Sequence, residues 1–179
     1  MAGPAQQEVP FGSADPYRFC PADGTRLEEP RPSGGVSCPS CGRSWYRNSS
    51  PAVGAVVVEG GKALVTVRAR EPEKGRVDLP GGFLEVGEHP VDGIIREVRE
   101  ELGVEIELVG APILPATHTY GPDGAYVLPI GFRARIIEGE PDPTDDVAEI
   151  RWIPASEVAS TDFAWEHDRK MVWEALEDS

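Results

Sequence analysis

The segment from residue 82 to residue 104, GFLEVGEHPVDGIIREVREELGV, constrains the fold of this chain more than any other part of it. Its apolar residues recur at the i, i+3, i+4, i+7 spacing that predicts an amphipathic helix with one buried face. The residues with this spacing are Val91, Ile94, Ile95, Val98 and Leu102. Proline is typical of a first helical turn and glycine of a helix end, so Pro90 and Gly103 place the helix at about residues 90–102.

The same helix carries three carboxylates, those of Glu97, Glu100 and Glu101, on a second face. Steps of three and four residues return to one side of an α-helix, so these side chains lie close together. Like charges at this spacing repel each other, and a divalent cation bound between them would remove the repulsion. Just upstream, Gly81 and Gly82 allow the backbone to approach a ligand closely. The segment therefore predicts a cation site on one helix and the turn before it.

Composition excludes several classes of protein. The 179 residues include 17 basic and 31 acidic ones, and the net charge of −14 disfavours unassisted binding to long nucleic acids or anionic membranes. The chain has no apolar run of about 18 residues, and its N-terminus lacks the basic and apolar regions of a signal peptide. We therefore expect a soluble, cytoplasmic protein that acts on a small molecule, without a membrane or nucleic-acid partner.

Three cysteines, all in the first quarter of the chain, indicate a metal site in a reducing compartment rather than a disulfide framework. The stretches CPAD from Cys20 to Asp23 and CPSC from Cys38 to Cys41 resemble the two knuckles of a zinc ribbon. Asp23 stands where a second cysteine is usual, and a carboxylate oxygen can complete a tetrahedral zinc site. We expect these four residues to hold a structural Zn²⁺. The alternative is a packed hairpin that has lost its metal.

The chain divides into three predicted regions. Residues 1–16 lack periodicity and predict a disordered leader, residues 17–48 a zinc-ribbon-like β subdomain, and residues 49–179 the main domain. In the main domain strands and helices mix without a repeating βα pattern, which predicts an α+β fold around a mixed sheet. The predicted strands are 52–58, 62–68, 105–109, 113–120, 126–137 and 149–153, and the predicted helical segments are 90–102, 155–158 and 163–177.

The helix and the turn before it contain the pattern Gly82-x5-Glu88-x7-Arg96-Glu97-Val98-x-Glu100-Glu101-x-Gly103-Val104. It matches the Nudix box at every specified position, and this signature is far more specific than a lone glycine motif. Residues 49–179 thus resemble a Nudix hydrolase domain. The resemblance implies an α/β/α sandwich with a mixed sheet, and a box that binds Mg²⁺ or Mn²⁺ to hydrolyse a diphosphate linked to a nucleoside. It also implies that Glu88 and Arg96 brace the loop against the helix.

The resemblance extends to the cysteine knuckles and covers about residues 17–177. It is a resemblance to the Nudix branch with an N-terminal zinc ribbon, whose members include ADP-ribose and FAD pyrophosphatases. NADH pyrophosphatases also carry this ribbon, but the S-Q-P-W-W array that marks them after the box is missing here. We therefore expect ADP-ribose or FAD, rather than NADH, as the main substrate.

Individual residues take their roles from the resemblance. Glu97, Glu100 and Glu101 match the metal-binding glutamates, and the carbonyl of Gly81 matches the backbone ligand before the box. The expected reaction is attack of activated water on one phosphorus of the diphosphate, without a serine or cysteine nucleophile. The general base stays open among four carboxylates. These are Glu100 and Glu101 on the helix, and Asp146 and Glu149 in or after the acidic loop.

Four residues are candidates for substrate binding. Arg68, at the exit of a predicted strand, is a candidate phosphate contact, and Phe83, Tyr46 and Tyr120 are candidates for stacking on the base. His118 lies between threonines on a predicted strand, and we expect it to be an ordinary sheet residue. The base itself is not predicted, because base-recognition residues in this fold come from variable loops.

Two alternative functions stay open at this point. A Nudix domain can sense a nucleotide without turnover, although such a protein is expected to lose box glutamates or gain a DNA-binding domain. The second alternative is an NADH or NAD-capped RNA pyrophosphatase, because such caps are themselves diphosphates. A homodimer is implied by the resemblance alone.

Overall fold

The computed structural model describes residues 17–28, 35–46, 48–121 and 124–177. The predicted leader, residues 1–16, lies outside these ranges, so its disorder stays a prediction. Within the described ranges, no helix is long and apolar enough to cross a membrane.

The first of two compact units is a small β subdomain. The two units are Met1–Asn48 with Asp123–Ala125, and Ser49–Pro122 with Tyr126–Ser179. In the first unit, β1 (Gly35–Ser37) pairs with β2 (Ser44–Tyr46) as an antiparallel hairpin. Tyr17 stacks on Trp45 with 6.2 Å between ring centroids. Among the described residues of this unit, Cys20, Leu27, Val36 and Cys38 form a buried hydrophobic cluster. Two of its cysteines therefore belong to its core.

The second unit is built on a mixed β-sheet. Its strands are β3 (Ser50–Glu59), β4 (Lys62–Arg68), β5 (Val77–Asp78), β6 (Gly81–Phe83), β7 (Glu105–Ile113), β8 (His118–Tyr120), β9 (Ala125–Glu138) and β10 (Val147–Pro154). The main order is β10-β4-β3-β9-β7, with β5 on β4, β6 on β3 and β8 on β9. β3 and β9 run parallel, whereas β3–β4, β4–β10 and β7–β9 are antiparallel pairs. The mixed sheet is therefore confirmed.

Helices cover both faces of this sheet. They are α1 (Pro90–Leu102), α2 (Ala155–Val158) and α3 (Glu166–Glu177). Successive side chains of a strand point to opposite faces. On β3, Ala55 and Val57 accordingly pack in the core around α1, whereas Val56 between them packs in the core that contains residues of α2 and α3. This alternation confirms the predicted three-layer α/β/α sandwich.

The bounds of α1 agree with the predicted helix. At its N-terminus, Nδ1 of His89 accepts a hydrogen bond from the Val91 N–H at 3.2 Å. At its C-terminus, Gly103 has a φ of 68°, the left-handed conformation that glycine adopts without strain. Ile94, Val98 and Leu102 are fully buried. The apolar face therefore anchors α1 and leaves the acidic face free for a site.

The predicted helix over 163–177 was placed too early, because it begins at Glu166. Phe163 is 2 % exposed and forms a parallel bridge to Val77. The Ala164 N–H then donates a hydrogen bond to the carbonyl of Val77 at 2.7 Å. Pairing with β5 thus holds this segment extended, and the helical pattern cannot begin until the pairing ends.

The predicted strand over 113–120 was too long, because only its last three residues form β8. β7 instead continues to Ile113 through an irregularity in register that begins after Val109. Gly110 in this irregularity has a φ of 76°. β8 pairs with β9, which confirms the predicted hairpin.

Candidate active site

The glycine turn lies directly against the acidic face of α1. The Gly81 N–H donates a hydrogen bond to Oε2 of Glu101 at 2.8 Å. Gly81 has a φ of 150°, and a Cβ there would overlap the carbonyl oxygen of Val53. A Cβ at Gly82 would lie 2.6 Å from Oε1 of Glu97. Position 81 therefore needs glycine, because the backbone of β3 leaves no space for a Cβ, whereas a side chain at position 82 would displace the carboxylate of Glu97.

Glu101 is a buried carboxyl, with only 7 % of its surface exposed. Burial raises its pKa well above the ordinary value, although the Gly81 N–H bond opposes this, and the charges of Asp146 and Glu97 raise it further. Carboxyls that crowd one another in a buried position are unfavourable alone and favourable around a hard cation. The oxygen donors present here therefore fit Mg²⁺ or Mn²⁺.

Arg96 neutralises the other carboxylates of the box. Its Nε and Nη2 donate to the two oxygens of Glu88 at 2.7 and 2.9 Å. Its Nη1 donates to Glu97 at 2.9 Å and to Glu100 at 3.0 Å. Hydrogen bonding from Arg96 lowers the pKa of Glu88 to about 2. Glu88 and Arg96 thus make the bracing contact that the resemblance implies.

The three box glutamates do not form a closed cluster. Glu97 and Glu101 line one cavity, whereas the side chain of Glu100 is 54 % exposed and bound to Arg96. In the part of the chain that the structure describes, the one group of three or more His, Cys, Asp or Glu ligand atoms close enough for a metal is in the first unit. The Arg96 guanidinium supplies the positive charge between Glu97 and Glu100.

The cavity beside Glu101 has a volume of about 350 Å³. Its acidic wall consists of Glu97, Glu101, Asp145 and Asp146, and its aromatic wall of Phe83, Tyr120 and Trp165. Glu149 does not line it, because its carboxylate is held at the surface by Arg151, with Oε2 2.6 Å from Nη2. The fold therefore brings Asp146 to the box glutamates and keeps Glu149 away from them.

Arg68 lies in the cavity wall, and its guanidinium is already hydrogen-bonded to other residues of the protein. Its Nη1 donates to Oδ2 of Asp78 at 2.6 Å, its Nη2 to the hydroxyl of Tyr120 at 3.3 Å, and its Nε to the carbonyl of Pro72 at 2.8 Å. Its guanidinium carbon lies 4.8 Å from the centroid of a Trp165 ring. The contact of Arg68 with a substrate phosphate stays a prediction. It would use the guanidinium N–H groups that are not bonded to Asp78, Tyr120 or Pro72.

The aromatic candidates divide between the two units. Phe83 meets Tyr120 edge to face at 5.3 Å, and Tyr120 stacks on Trp165 at 5.6 Å with an interplanar angle of 20°. Tyr46 is an exposed residue on β2 of the first unit. Phe83 and Tyr120 are therefore brought together in one wall. Trp165 was not predicted, because it is a single aromatic residue near the C-terminal helix and belongs to no motif.

The cavity also contains polar residues that the sequence did not identify as a site. His118, predicted to be an ordinary sheet residue, lines the cavity from β8, with its ring 4.5 Å from that of His167. Burial lowers the pKa of both imidazoles, that of His167 to about 4, so both are neutral at pH 7. Asp78 and Asp168 complete this side. No spacing rule links these residues, because they come from separate strands and a helix.

The first unit contains a separate group of metal-type ligands. Ligand atoms of Cys20, Asp23, Cys38 and Cys41 all lie within 4.8 Å of one another. The three cysteines are free, with Sγ of Cys20 3.7 Å from Sγ of Cys41. A backbone hydrogen bond from Cys41 lowers the pKa of the Cys38 thiol, which favours the thiolate that metals bind. Three sulfurs and one carboxylate fit a tetrahedral Zn²⁺.

Comparison with known proteins points to one family. Residues 48–173 match the NUDIX domain. The NAD-capped RNA hydrolase NudC of Pseudomonas aeruginosa is 33% identical over 141 residues, which are 75% of this chain and 47% of that protein. The ADP-ribose pyrophosphatase of Methanocaldococcus jannaschii is 28% identical over 124 residues, 69% of this chain and 72% of that protein. A crystal structure of a NUDIX hydrolase from Nitrosomonas europaea superposes with a TM-score of 0.72 and 27% identity, over 89% of this chain and 90% of that one. The chain spans about half the length of the NAD-capped RNA hydrolases it matches.

Proposed function

The chain belongs to the Nudix hydrolase family, and on that basis we propose that it hydrolyses the diphosphate linkage of a nucleoside diphosphate derivative, with ADP-ribose or FAD preferred. The observation that carries this proposal is Glu101, a buried carboxyl held by the Gly81 N–H in the acidic wall of a cavity. The aromatic wall of the same cavity suits a substrate that joins a diphosphate to a flat base. The preference is supported by the missing S-Q-P-W-W array and by an ADP-ribose pyrophosphatase among the relatives.

Glu97, Glu100, Glu101 and the carbonyl oxygen of Gly81 are the groups that we propose to hold Mg²⁺ or Mn²⁺. The bound metal would neutralise the diphosphate oxygens and make the attacking water more acidic. Arg96 orients Glu97 and Glu100 on the same side of α1. The hydrogen bond from the Gly81 N–H aligns the third carboxylate, that of Glu101, with the turn, so the site is organised before substrate arrives.

Asp146 is the residue that we propose as the general base, with Glu101 as the alternative. Asp146 lines the cavity, and its charge acts on the pKa of Glu101, so the two carboxylates are neighbours. Its own carbonyl accepts a hydrogen bond from the Ala69 N–H at 2.8 Å, and the Thr144 N–H donates to the carbonyl of Glu101 at 2.9 Å. The backbone of the loop is thus fastened to α1, which supports a role for Asp146 in the cavity wall as the group that would accept a proton from water.

Base stacking is proposed for the exposed face of Phe83, which is 43 % exposed, and for Tyr120 beside it. The free N–H groups of Arg68 are the proposed phosphate contact. Tyr46 stays a candidate from the first unit. The base would then lie on the aromatic wall while the diphosphate faces the acidic wall.

A substrate panel tests the function. With Mg²⁺ or Mn²⁺, purified protein should hydrolyse ADP-ribose or FAD faster than NADH, diadenosine polyphosphates or nucleoside triphosphates, and chelation by EDTA should stop the reaction. Chromatography of the nucleotide products measures the rates and identifies the bond cleaved. Failure to hydrolyse any of these compounds with either metal would favour a nucleotide sensor without turnover.

NADH or NAD-capped RNA is the second candidate substrate, and the observation that favours it is the 33% identity to an NAD-capped RNA hydrolase. The two candidates give different products. Cleavage of an NAD cap releases nicotinamide mononucleotide and leaves a 5′-monophosphate on the RNA. A higher kcat/KM for this release than for ADP-ribose would reverse the proposed order of substrates.

We propose further that the cysteine group of the first unit holds one structural Zn²⁺. Protein purified without chelators should contain about one zinc per chain by mass spectrometry of the metals, and Cys38→Ser should remove it and lower the melting temperature. Ser40→Ala, in the same turn but outside the ligand set, is the matched control. Zinc-free wild-type protein of unchanged stability would support the metal-free hairpin instead.

A further inference from the structure

Asp168, in the first turn of α3, is a buried carboxyl without a role in the proposed chemistry. It is 4 % exposed, and its Oδ1 lies 3.2 Å from Nε2 of His167. Its Oδ2 is also buried and accepts no hydrogen bond from any of the described residues. An ionised carboxylate with one oxygen unpartnered is strongly unfavourable in such a position. The unpartnered oxygen therefore favours a protonated carboxylic acid over an ionised carboxylate at Asp168.

The carboxyl of Asp78, on β5, interacts with that of Asp168. Asp78 is well supplied with donors, since its Oδ2 accepts from Nη1 of Arg68 at 2.6 Å and its Oδ1 from the Leu79 N–H at 2.8 Å. Burial, and after it the charge of Asp78, raises the pKa of Asp168 well above its ordinary value. The neighbouring imidazole of His167 supplies no opposing charge, because its pKa is lowered to about 4.

We propose that Asp168 is a positioning residue, which as a neutral carboxylic acid donates a hydrogen bond from Oδ2 to the Asp78 carboxylate and so holds Arg68 in the cavity wall. Oδ1 of Asp168 lies 3.2 Å from Nε2 of the neutral His167 imidazole, and the proposed hydrogen bond gives the buried Oδ2 its partner. The guanidinium of Arg68 then faces one ionised carboxylate, that of Asp78. The buried group formed by Arg68, Asp78 and Asp168 therefore has no net charge. His118, which lines the same cavity, is neutral and leaves that balance unchanged.

Arg68 is the link between this buried acid and the aromatic wall. It donates to the hydroxyl of Tyr120 and lies over a ring of Trp165, and these two aromatic side chains come from separate segments. Loss of the Asp168 hydrogen bond should therefore loosen the surface on which the base lies, while the box glutamates keep their places. This step rests on the proposed function, because it requires that the substrate contacts the aromatic wall.

Two replacements with the same branched side-chain skeleton separate this role from that of a charged carboxylate. Asp168→Asn offers an N–H in place of the O–H, so KM for ADP-ribose should stay within about twofold of wild type. Asp168→Leu offers no donor, so KM should rise about tenfold while kcat changes less than about threefold. Steady-state kinetics with Mg²⁺ measure both constants. An asparagine variant as impaired as the leucine variant would overturn the proposal, because it would mean that the negative charge is needed.

The proton itself can be observed without any substrate. An infrared difference spectrum of wild type minus D168N at neutral pH, without Mg²⁺, should contain the C=O band of a protonated carboxylic acid. The same difference with Asp162→Asn should lack it, since Asp162 is an exposed partner of Arg76. Absence of the band for Asp168 would overturn the proposal. Because this measurement needs no turnover, its result stands even if the wild-type protein hydrolyses no diphosphate, an outcome that would contradict the proposed function alone.

Discussion

Replacing Glu101 with glutamine should lower kcat of Mg²⁺-dependent hydrolysis by about 10²- to 10³-fold, which corresponds to several kcal/mol of lost charge stabilisation. Glutamine has the size of glutamate, and its amide oxygen can still accept the hydrogen bond from the Gly81 N–H. What disappears is the buried negative charge that would bind the cation. Steady-state kinetics over a Mg²⁺ titration measure the effect, which excess metal should not restore.

The loss of activity should occur without a loss of stability. Because burial raises the pKa of Glu101, ionisation costs the folded state stability at every pH above the ordinary value of the group. Glutamine removes that cost, so metal-free E101Q should melt at the same temperature as wild type or higher at neutral pH. Added Mg²⁺ should raise the melting temperature of wild type more than that of E101Q.

Glu149→Gln is the matched control for this experiment. Glu149 is bound to Arg151 outside the cavity, so this replacement should leave kcat within about twofold of wild type, as is usual for a surface site. Near-normal turnover by E101Q would dismiss the metal site built on α1. A large loss in E149Q would instead make Glu149 the general base and contradict the choice of Asp146.

Replacing Gly81 with alanine should destabilise the protein by about 3–5 kcal/mol, the sum of backbone strain and overpacking. The φ of 150° is unfavourable for alanine, and the new Cβ would lie 2.8 Å from the Cα of Gly54 and overlap a carbonyl oxygen. The melting temperature should fall by roughly 10 °C. Activity should fall as well, because the turn that holds Glu101 would have to move. Thermal unfolding and the same kinetic assay measure the two effects.

Gly54→Ala is the control for this replacement, because Gly54 is the β3 partner of Gly81 in the sheet register. A Cβ at Gly54 meets nothing closer than the Cβ of Leu79 at 3.8 Å, an ordinary contact. Gly54→Ala should therefore change the free energy of unfolding by less than about 1 kcal/mol. Equal stability of both variants would show that the close approach of β6 to β3 is not a constraint on the fold.

The parts of the fold that the sequence predicts well are those with strong local signals. The helix over 90–102 has a complete apolar face, a proline in its first turn and a terminal glycine, and its bounds agree with the structure. The strand over 62–68 lies next to a glycine turn and also agrees. The start of the last helix was wrong, because Phe163 pairs with Val77, which is distant in sequence. Local periodicity contains no information about such a partner.

The candidate site also has one part that the sequence predicts and one part that it does not. The acidic wall contains Glu97, Glu101 and Asp146, all of which the sequence proposes. The buried side behind the aromatic wall was not anticipated, because Asp78 and Asp168 lie 90 positions apart and neither belongs to a motif. Their interaction exists only when α3 packs against β3 and β4 and β5 pairs with β4. The same packing explains why Arg68 has partners inside the protein.

By itself, the sequence determined the family, the glycine turn and the helix that carries the glutamates, because the spacing of one continuous segment encodes all three. The tertiary structure decided how the carboxylates of that segment are used. It buries Glu101 against the Gly81 N–H, leaves Glu100 at the surface on Arg96, and selects Asp146 over Glu149 as a neighbour. The physical reason is that burial and charge pairing depend on segments that meet only in the folded sheet, whereas a helix face depends on its own residues.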